Sequence, residues 1–192
     1  MSWSKKGTIV KSFLRDLLGT AILATVIFIL LETTIQSFVV SGQSMENTFL
    51  DKERLLVLRE RVAYLFHPPE RGDVIILQPP QNLNTDYIKR VIGLPGDTVE
   101  IKNGAVYINN VRLDEPYIKQ PPVYTMAPET VPAGEYFVLG DNRNNSNDSH
   151  AGLGMVPAQN IVGKVWLSIW PPGKWGLISN YSIGSQLANA GS

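Results

Sequence analysis

Cysteine is missing from this chain of 192 residues. That excludes disulfides, thiol catalysis and cysteine-ligated metal sites. An oxidising compartment is compatible with the absence but is not indicated by it. Histidine is scarce: His67 and His150 are the only two. They are far apart, and no His-Glu-x-x-His pattern exists, so zinc is not expected. Net charge is also lacking, because 17 lysines and arginines balance 17 acids. Charge therefore gives no reason to expect a nucleic-acid partner. Internal repeats and low-complexity segments are absent as well.

What is present changes sharply along the chain. Residues 1–16 are polar and carry Lys5, Lys6, Lys11 and Arg15, with Asp16 as the only acid. Residues 17–31 (LLGTAILATVIFILL) carry no charge over 15 positions, and continuing through Val40 gives 24 at the cost of Glu32. A bilayer span takes roughly 20 residues, and an acid near its end can sit at the interface. The expectation is one transmembrane anchor at 17–40, after a cytoplasmic segment at 1–16. A β domain at 41–182 and a tail at 183–192 follow. A cleaved signal, a buried core helix and an interfacial helix are the alternatives. No convincing small-x-small site follows the apolar run, which argues against cleavage. Four cations precede the span and none follows until Lys52. The positive-inside rule then keeps the N-terminus cytoplasmic and puts the domain across the membrane, plasma or thylakoid.

Beyond residue 40 the pattern is short strands and turns. Leu55–Leu58, Val74–Leu77, Tyr87–Ile92, Glu135–Leu139 and Ile161–Leu167 read as strands. Thr98–Lys102 and Ala105–Ile108 flank Asn103-Gly104, the dipeptide that suits a type I′ hairpin turn. The fold class expected is mostly β: an antiparallel sheet or barrel-like domain on one N-terminal helix.

Two motifs carry candidate chemistry. Ser44 lies in Ser41-Gly42-Gln43-Ser44-Met45-Glu46-Asn47-Thr48, a few residues beyond the apolar segment. Gly42 lets the backbone approach a substrate carbonyl, and the Ser44 N–H can help bind an oxyanion. Lys89 lies in Tyr87-Ile88-Lys89-Arg90-Val91-Ile92, alternating with apolar or aromatic residues. A buried lysine loses its proton more readily and can serve as a general base. Arg90 is an equally basic neighbour, and periodicity does not say which of the two faces the core. The densest polar cluster is Gly140-Asp141-Asn142-Arg143-Asn144-Asn145-Ser146-Asn147-Asp148-Ser149-His150. Asp141, Asn145 and Asp148 suggest a calcium loop, but Arg143 sits where an EF-hand needs an oxygen, and no glutamate closes it. A self-bonded turn network is the plainer reading. A Ser-His-Asp arrangement through His150 and Asp148 is a further alternative, and it leaves Lys89 unexplained.

Together, the anchor, the Ser44 segment, Lys89-Arg90-Val91-Ile92-Gly93-Leu94-Pro95-Gly96-Asp97 and the Gly140–Ser149 cluster resemble type I signal peptidases. These are membrane-bound Ser/Lys proteases that remove signal peptides from exported proteins. His150 and Trp170-Pro171-Pro172 are most similar to the cyanobacterial and thylakoid branch. The resemblance implies Ser44 as nucleophile and Lys89 as general base. It implies that Ser146 bonds the lysine, that Asp148 supports the site with His150 in place of the usual arginine, and that Asp141 and Arg143 are structural. It also implies cleavage after small residues at Ala-x-Ala type sites.

The implied partners are secretory preproteins and the bilayer, with no cofactor; the sequence does not fix the oligomeric state. Asn47 departs from the family's proline, which predicts a looser nucleophile loop and keeps a silent peptide-binding homologue as the alternative. A Ser/Lys self-cleaving regulator is a rival enzyme, disfavoured by an outward-facing anchor. Trp166, Trp170 and Trp175 are read either as interfacial or as core residues. Ala188-Asn189-Ala190 is itself an Ala-x-Ala sequence, a candidate for trimming by a second copy.

Overall fold

The computed structural model describes residues 3–179, Tyr181, Ile183, Gln186 and Leu187, with side chains from Phe13 onward. The Ala188-Asn189-Ala190 sequence lies outside the described residues. The chain divides into two units, Met1–Ile35 and Gln36–Ser192.

The first unit is helix α1 (Trp3–Thr34). Its stretch Phe13–Thr34 is 22 residues long and has a mean hydropathy of 2.1 in its most apolar 18-residue window, long and apolar enough to cross a membrane. The hydroxyls of Thr20, Thr25, Thr33 and Thr34 donate to carbonyls one turn back, which satisfies them without water. The helix stops at Thr34, not at Val40 as the apolar count predicts. Ile35–Val39 forms strand β1. The correction has a local cause: Ile35, Phe38, Val39 and Val40 are β-branched or aromatic, and a neighbouring strand is available to pair with them.

The second unit is built from antiparallel strands. After β1 come β2 (Arg54–Arg59), the one-turn helix α2 (Glu60–Ala63), β3 (Val74–Leu77) and β4 (Tyr87–Gly93). The hairpin β5 (Thr98–Lys102) and β6 (Ala105–Ile108) follows, then β7 (Val111–Arg112), β8 (Met126–Thr130) and β9 (Glu135–Leu139). The last strands are β10 (Val156–Pro157), β11 (Ile161–Trp170) and β12 (Gly176–Leu177). One curled sheet has the order β1-β2-β11-β3-β4-β9-β10, with β12 on β11; a second runs β7-β6-β5-β8. The domain is mostly β, as the sequence predicts. Asn103 and Gly104 both take positive φ (51° and 70°), and Lys102 faces Ala105 across the turn.

Strand β11 pairs with both β2 and β3 and carries register shifts along both pairings. Such bulges bend a strand, which helps the sheet curl. Gly163 allows the close approach: a Cβ there would stand 2.8 Å from Val57 Cγ1. Trp166, Trp170 and Trp175 are exposed rather than part of the core.

Three apolar clusters hold the domain. One packs Met45 and Phe49 of the Ser44 loop against Leu55, Val57, Val74, Ile76 and Val165. Another joins the small sheet to Phe137, Leu139 and Ile183. Ile183, in the expected tail, is thus a buried core residue, and Gln186 bonds the backbone of Asp114 in both directions. The third cluster lies around Ile75, Val91, Val138 and Ile161.

Candidate active site

Strand β4 lies between β3 and β9, with Lys89 opposite Ile75 and Arg90 opposite Leu139. Both cations are buried, Lys89 at 3% exposure and Arg90 at 0%. A central strand covered on both faces hides both sides of its alternation, which is why periodicity could not choose between them.

Arg90 is fully engaged. Its Nε and Nη2 donate to the two carboxylate oxygens of Asp141 at 2.9 and 2.7 Å, and Nη1 donates to the Gly72 carbonyl at 2.9 Å. The Tyr117 ring covers its guanidinium at 4.2 Å. Lys89 has less. Its Nζ lies 2.9 Å from the Ser44 Oγ and 2.9 Å from the Ile88 carbonyl. Burial lowers the Lys89 pKa from 10.5 to about 8, against the opposing charges of Asp148 and Asp141. At neutral pH roughly one amine in ten is then unprotonated, instead of roughly one in a few thousand.

The Ser44 loop is tied down on both flanks. Asn142 N–H donates to the Ser44 carbonyl at 3.0 Å, and the Asn142 amide donates to the Gln43 carbonyl at 3.0 Å. Thr48 Oγ1 donates to Asp141 Oδ2 at 2.5 Å, and Lys119 Nζ pairs with Glu46 at 2.5 Å. Gly42 has φ of 96°, a backbone that favours glycine, and its N–H donates to Asp51 Oδ1 at 2.9 Å. The sequence predicts loosening at Asn47; the neighbouring residues Glu46 and Thr48 are held nonetheless.

The polar cluster folds back over this loop. Asp148 is buried; its Oδ2 accepts the Gly140 N–H at 2.9 Å, and its Oδ1 meets the His150 ring at Nδ1. The His150 ring stacks on Tyr124, centroids 3.6 Å apart and 3° from parallel. His150 is thus paired with Asp148 while Ser44 Oγ takes Lys89, so no Ser-His-Asp relay is assembled. Arg143 makes a bidentate pair with the buried Glu115, at 2.7 and 2.6 Å. Asp141 and Asp148 therefore face cations and N–H or O–H donors within the protein, not a calcium-like cage. Ser146 Oγ is buried beside this network with no hydrogen-bond partner among the described residues. The structure does not join it to Lys89.

A cavity of about 330 Å³ opens on the pair. Phe38, Val39, Val40 and Ser41 line one part, Thr85, Asp86, Tyr87 and Ile88 another, with Leu55, Ile76 and Asn147. Ser44 and Lys89 lie in the same lining. The lining mixes apolar side chains (Phe38, Val39, Val40, Leu55, Ile76, Ile88) with polar ones (Ser41, Thr85, Asp86, Asn147).

A hydroxyl beside a buried, deprotonatable amine in one cavity lining is an arrangement that can support nucleophilic hydrolysis. Residues 13–170 match the family described as signal peptidase, peptidase S26. The chain belongs to the signal peptidase family. As a member it is a protease that cleaves signal peptides. Its relatives place it in the cyanobacterial branch. It is 44% identical to the probable signal peptidase I-1 of Synechocystis sp. over 151 residues, covering 75% of this chain and 76% of that one. It is 46% identical to signal peptidase I of Leptolyngbya laminosa over 144 residues, covering 71% and 70%. Signal peptidase IB of Staphylococcus aureus (strain COL) is 35% identical over 179 residues, covering 84% and 91%. A solved signal peptidase I from Enterococcus faecalis V583 is 36% identical, covers 50% of this chain and 95% of its own, and has a TM-score of 0.45. With one apolar helix of spanning length, this signal peptidase is a membrane-anchored enzyme.

Several residues of the site escaped the sequence reading. Thr48 and Glu115 are ordinary polar residues until the fold brings Asp141 and Arg143 to them. Gly140 is needed for closeness: a Cβ there would stand 2.5 Å from the Ser44 carbonyl oxygen and collide with Ser146. Tyr124 sits in a proline-rich stretch and gave no signal. The Gly-Asp-Asn-Arg run that opens the cluster was the only sequence pointer to Gly140.

Proposed function

We propose that Ser44 and Lys89 form a Ser/Lys catalytic dyad that removes signal peptides from exported preproteins. The observation that carries this is the 2.9 Å separation of Ser44 Oγ and Lys89 Nζ, with the amine buried and shifted to about 8. The preprotein lies extended in the groove between residues 38–41 and 85–88. Neutral Lys89 accepts the Ser44 proton as Oγ attacks the scissile carbonyl. The Ser44 N–H stabilises the oxyanion. The Lys89 ammonium then gives its proton to the leaving amine, and an acyl-enzyme on Ser44 remains. Lys89 next deprotonates a water, which releases the signal peptide's new C-terminus and returns the proton to Ser44.

Asp148 and Asp141 keep the Lys89 amine from falling further in basicity. Arg143 and Glu115 brace the cluster that carries Asp148, and Ser146 is proposed to meet the amine during turnover. Val40, Leu55, Ile76 and Ile88 shape the groove for small residues such as alanine at the first and third positions before the cut. The N-terminus is cytoplasmic, and the β domain works on the far side of a plasma or thylakoid membrane. Enzyme and signal peptide then share one bilayer, which raises their effective concentration.

The test is cleavage of a detergent-solubilised preprotein bearing an Ala-x-Ala site by wild type, Ser44→Ala and Lys89→Ala. Cleavage by wild type alone, with both variants folded, supports the dyad. Cutting by either variant replaces the dyad with another pair, and an inactive wild type favours a silent peptide-binding homologue.

A further inference from the structure

The segment after β2 exposes apolar side chains to an unusual degree. Residues 59–67 run Arg-Glu-Arg-Val-Ala-Tyr-Leu-Phe-His. Tyr64 turns inward, its hydroxyl donating to Asp73 Oδ2 at 3.2 Å. Val62, Leu65 and Phe66 turn outward, at 39%, 66% and 91% exposure. Phe66 is more exposed than any other large apolar side chain among the described residues. Arg59 and Arg61 are exposed on the same segment, with Glu60 its one acid. Aromatic and aliphatic tips beside arginines suit an interface between lipid headgroups and acyl chains.

Placement gives a second, independent reason. Val40 N–H donates to the Glu53 carbonyl at 2.8 Å, where β1 ends and β2 begins. The neighbours β1 and β2 therefore run antiparallel from that point, and counting outward puts Gln36 near Val57. The 60–67 segment thus starts from the end of the sheet where the chain enters the domain. Gln36 follows the last residue of the apolar helix, Thr34, by two positions, a reach of about 7 Å at most. Trp170 pairs with Arg54 at the other end of β2, so this tip is separate from that tryptophan.

We propose that the 60–67 segment is a lipid-contacting tip. Leu65 and Phe66 enter the interfacial zone of the leaflet next to the domain, and Arg59 and Arg61 lie on its anionic headgroups. This rests on the reading of α1 as a membrane anchor. The tip holds the domain against the bilayer at a second point, so that the groove meets the membrane-held preprotein at a fixed height.

The chain has no cysteine, so Phe66→Cys gives a single labelling site. The full-length variant, carrying an environment-sensitive fluorophore, is placed in vesicles of phosphatidylglycerol and phosphatidylcholine containing brominated lipid. Val123→Cys, at an equally open position (87% exposed), is the control. Quenching at position 66 several-fold above position 123 is the expected result, and equal quenching overturns the tip. In phosphatidylcholine alone the difference should shrink; if it does not, the role of Arg59 and Arg61 is overturned. Flotation of the same samples separates the two readings. A chain that fails to float removes the anchor and the tip with it, whereas a chain that floats with an unquenched position 66 removes the tip alone. The double variant Leu65→Ser, Phe66→Ser should cut a soluble peptide in detergent at the wild-type rate and cut a vesicle-bound preprotein about five- to tenfold more slowly. Equal rates in vesicles overturn the proposal.

Discussion

Lys89 and Arg90 are adjacent on β4, both buried, and differ in what meets their charge. Arg90 is matched by both oxygens of Asp141 and covered by Tyr117. Among the described residues, Lys89 meets only a hydroxyl and a carbonyl at hydrogen-bond distance. One cation is therefore held charged, and the other is pressed towards neutrality. That difference makes Lys89, and not Arg90, the base of the proposed dyad.

The Lys89 amine should set the acid limb of the pH profile. With its pKa lowered to about 8, kcat/KM should rise about tenfold per pH unit below that value and level off above it. Steady-state cleavage of a peptide substrate between pH 6 and 10 is the measurement. A flat profile from pH 6 to 9 would rule out titration of this amine as the limiting event.

The same shift costs stability. Between about pH 8 and 10.5 the unfolded chain holds a proton on this lysine that the folded chain does not. Wild-type stability should therefore rise with pH through that window. Lys89→Met, which does not titrate, should be more stable than wild type at pH 7 by up to about 3 kcal/mol, with the advantage fading towards pH 10.5. Thermal unfolding in detergent at both pH values checks this. A variant less stable than wild type at pH 7 would mean that the Ser44 contact outweighs desolvation.

Asp141 joins three parts of the site: Arg90 on β4, Thr48 after the nucleophile, and its own loop. Asp141→Ala leaves a buried guanidinium without its carboxylate. It should cost about 3–5 kcal/mol, a Tm loss on the order of 10 °C, and most of the activity. A loss below 1 kcal/mol would show that Tyr117 and the Gly72 carbonyl suffice for Arg90.

Ser146 gives the opposite pattern. Its buried hydroxyl has no partner among the described residues, so Ser146→Ala should leave stability unchanged or slightly higher. If the hydroxyl meets the Lys89 amine during turnover, kcat should still fall at least about tenfold. Retained activity would assign Ser146 to packing against Gly140 alone.

Strand periodicity and turn chemistry are local, so the sequence by itself located β3, β4, β9 and the Asn103-Gly104 hairpin closely. The Ser44, Lys89 and Gly140–Ser149 motifs named the family for the same reason, since each is a short run of fixed residue types. Local pattern failed where the outcome depended on a distant partner. Ile35–Val39 looks like the end of an apolar span until β2 is beside it. Lys89 and Arg90 are indistinguishable until Asp141, 51 residues beyond Arg90, arrives to neutralise one of them. Ile183 looks like tail until the small sheet offers it a core. The seat of Ser44 against Gly140 is a matter of ångströms between backbones, and only the tertiary packing decides it, because steric exclusion acts between atoms in space and not between letters in a chain.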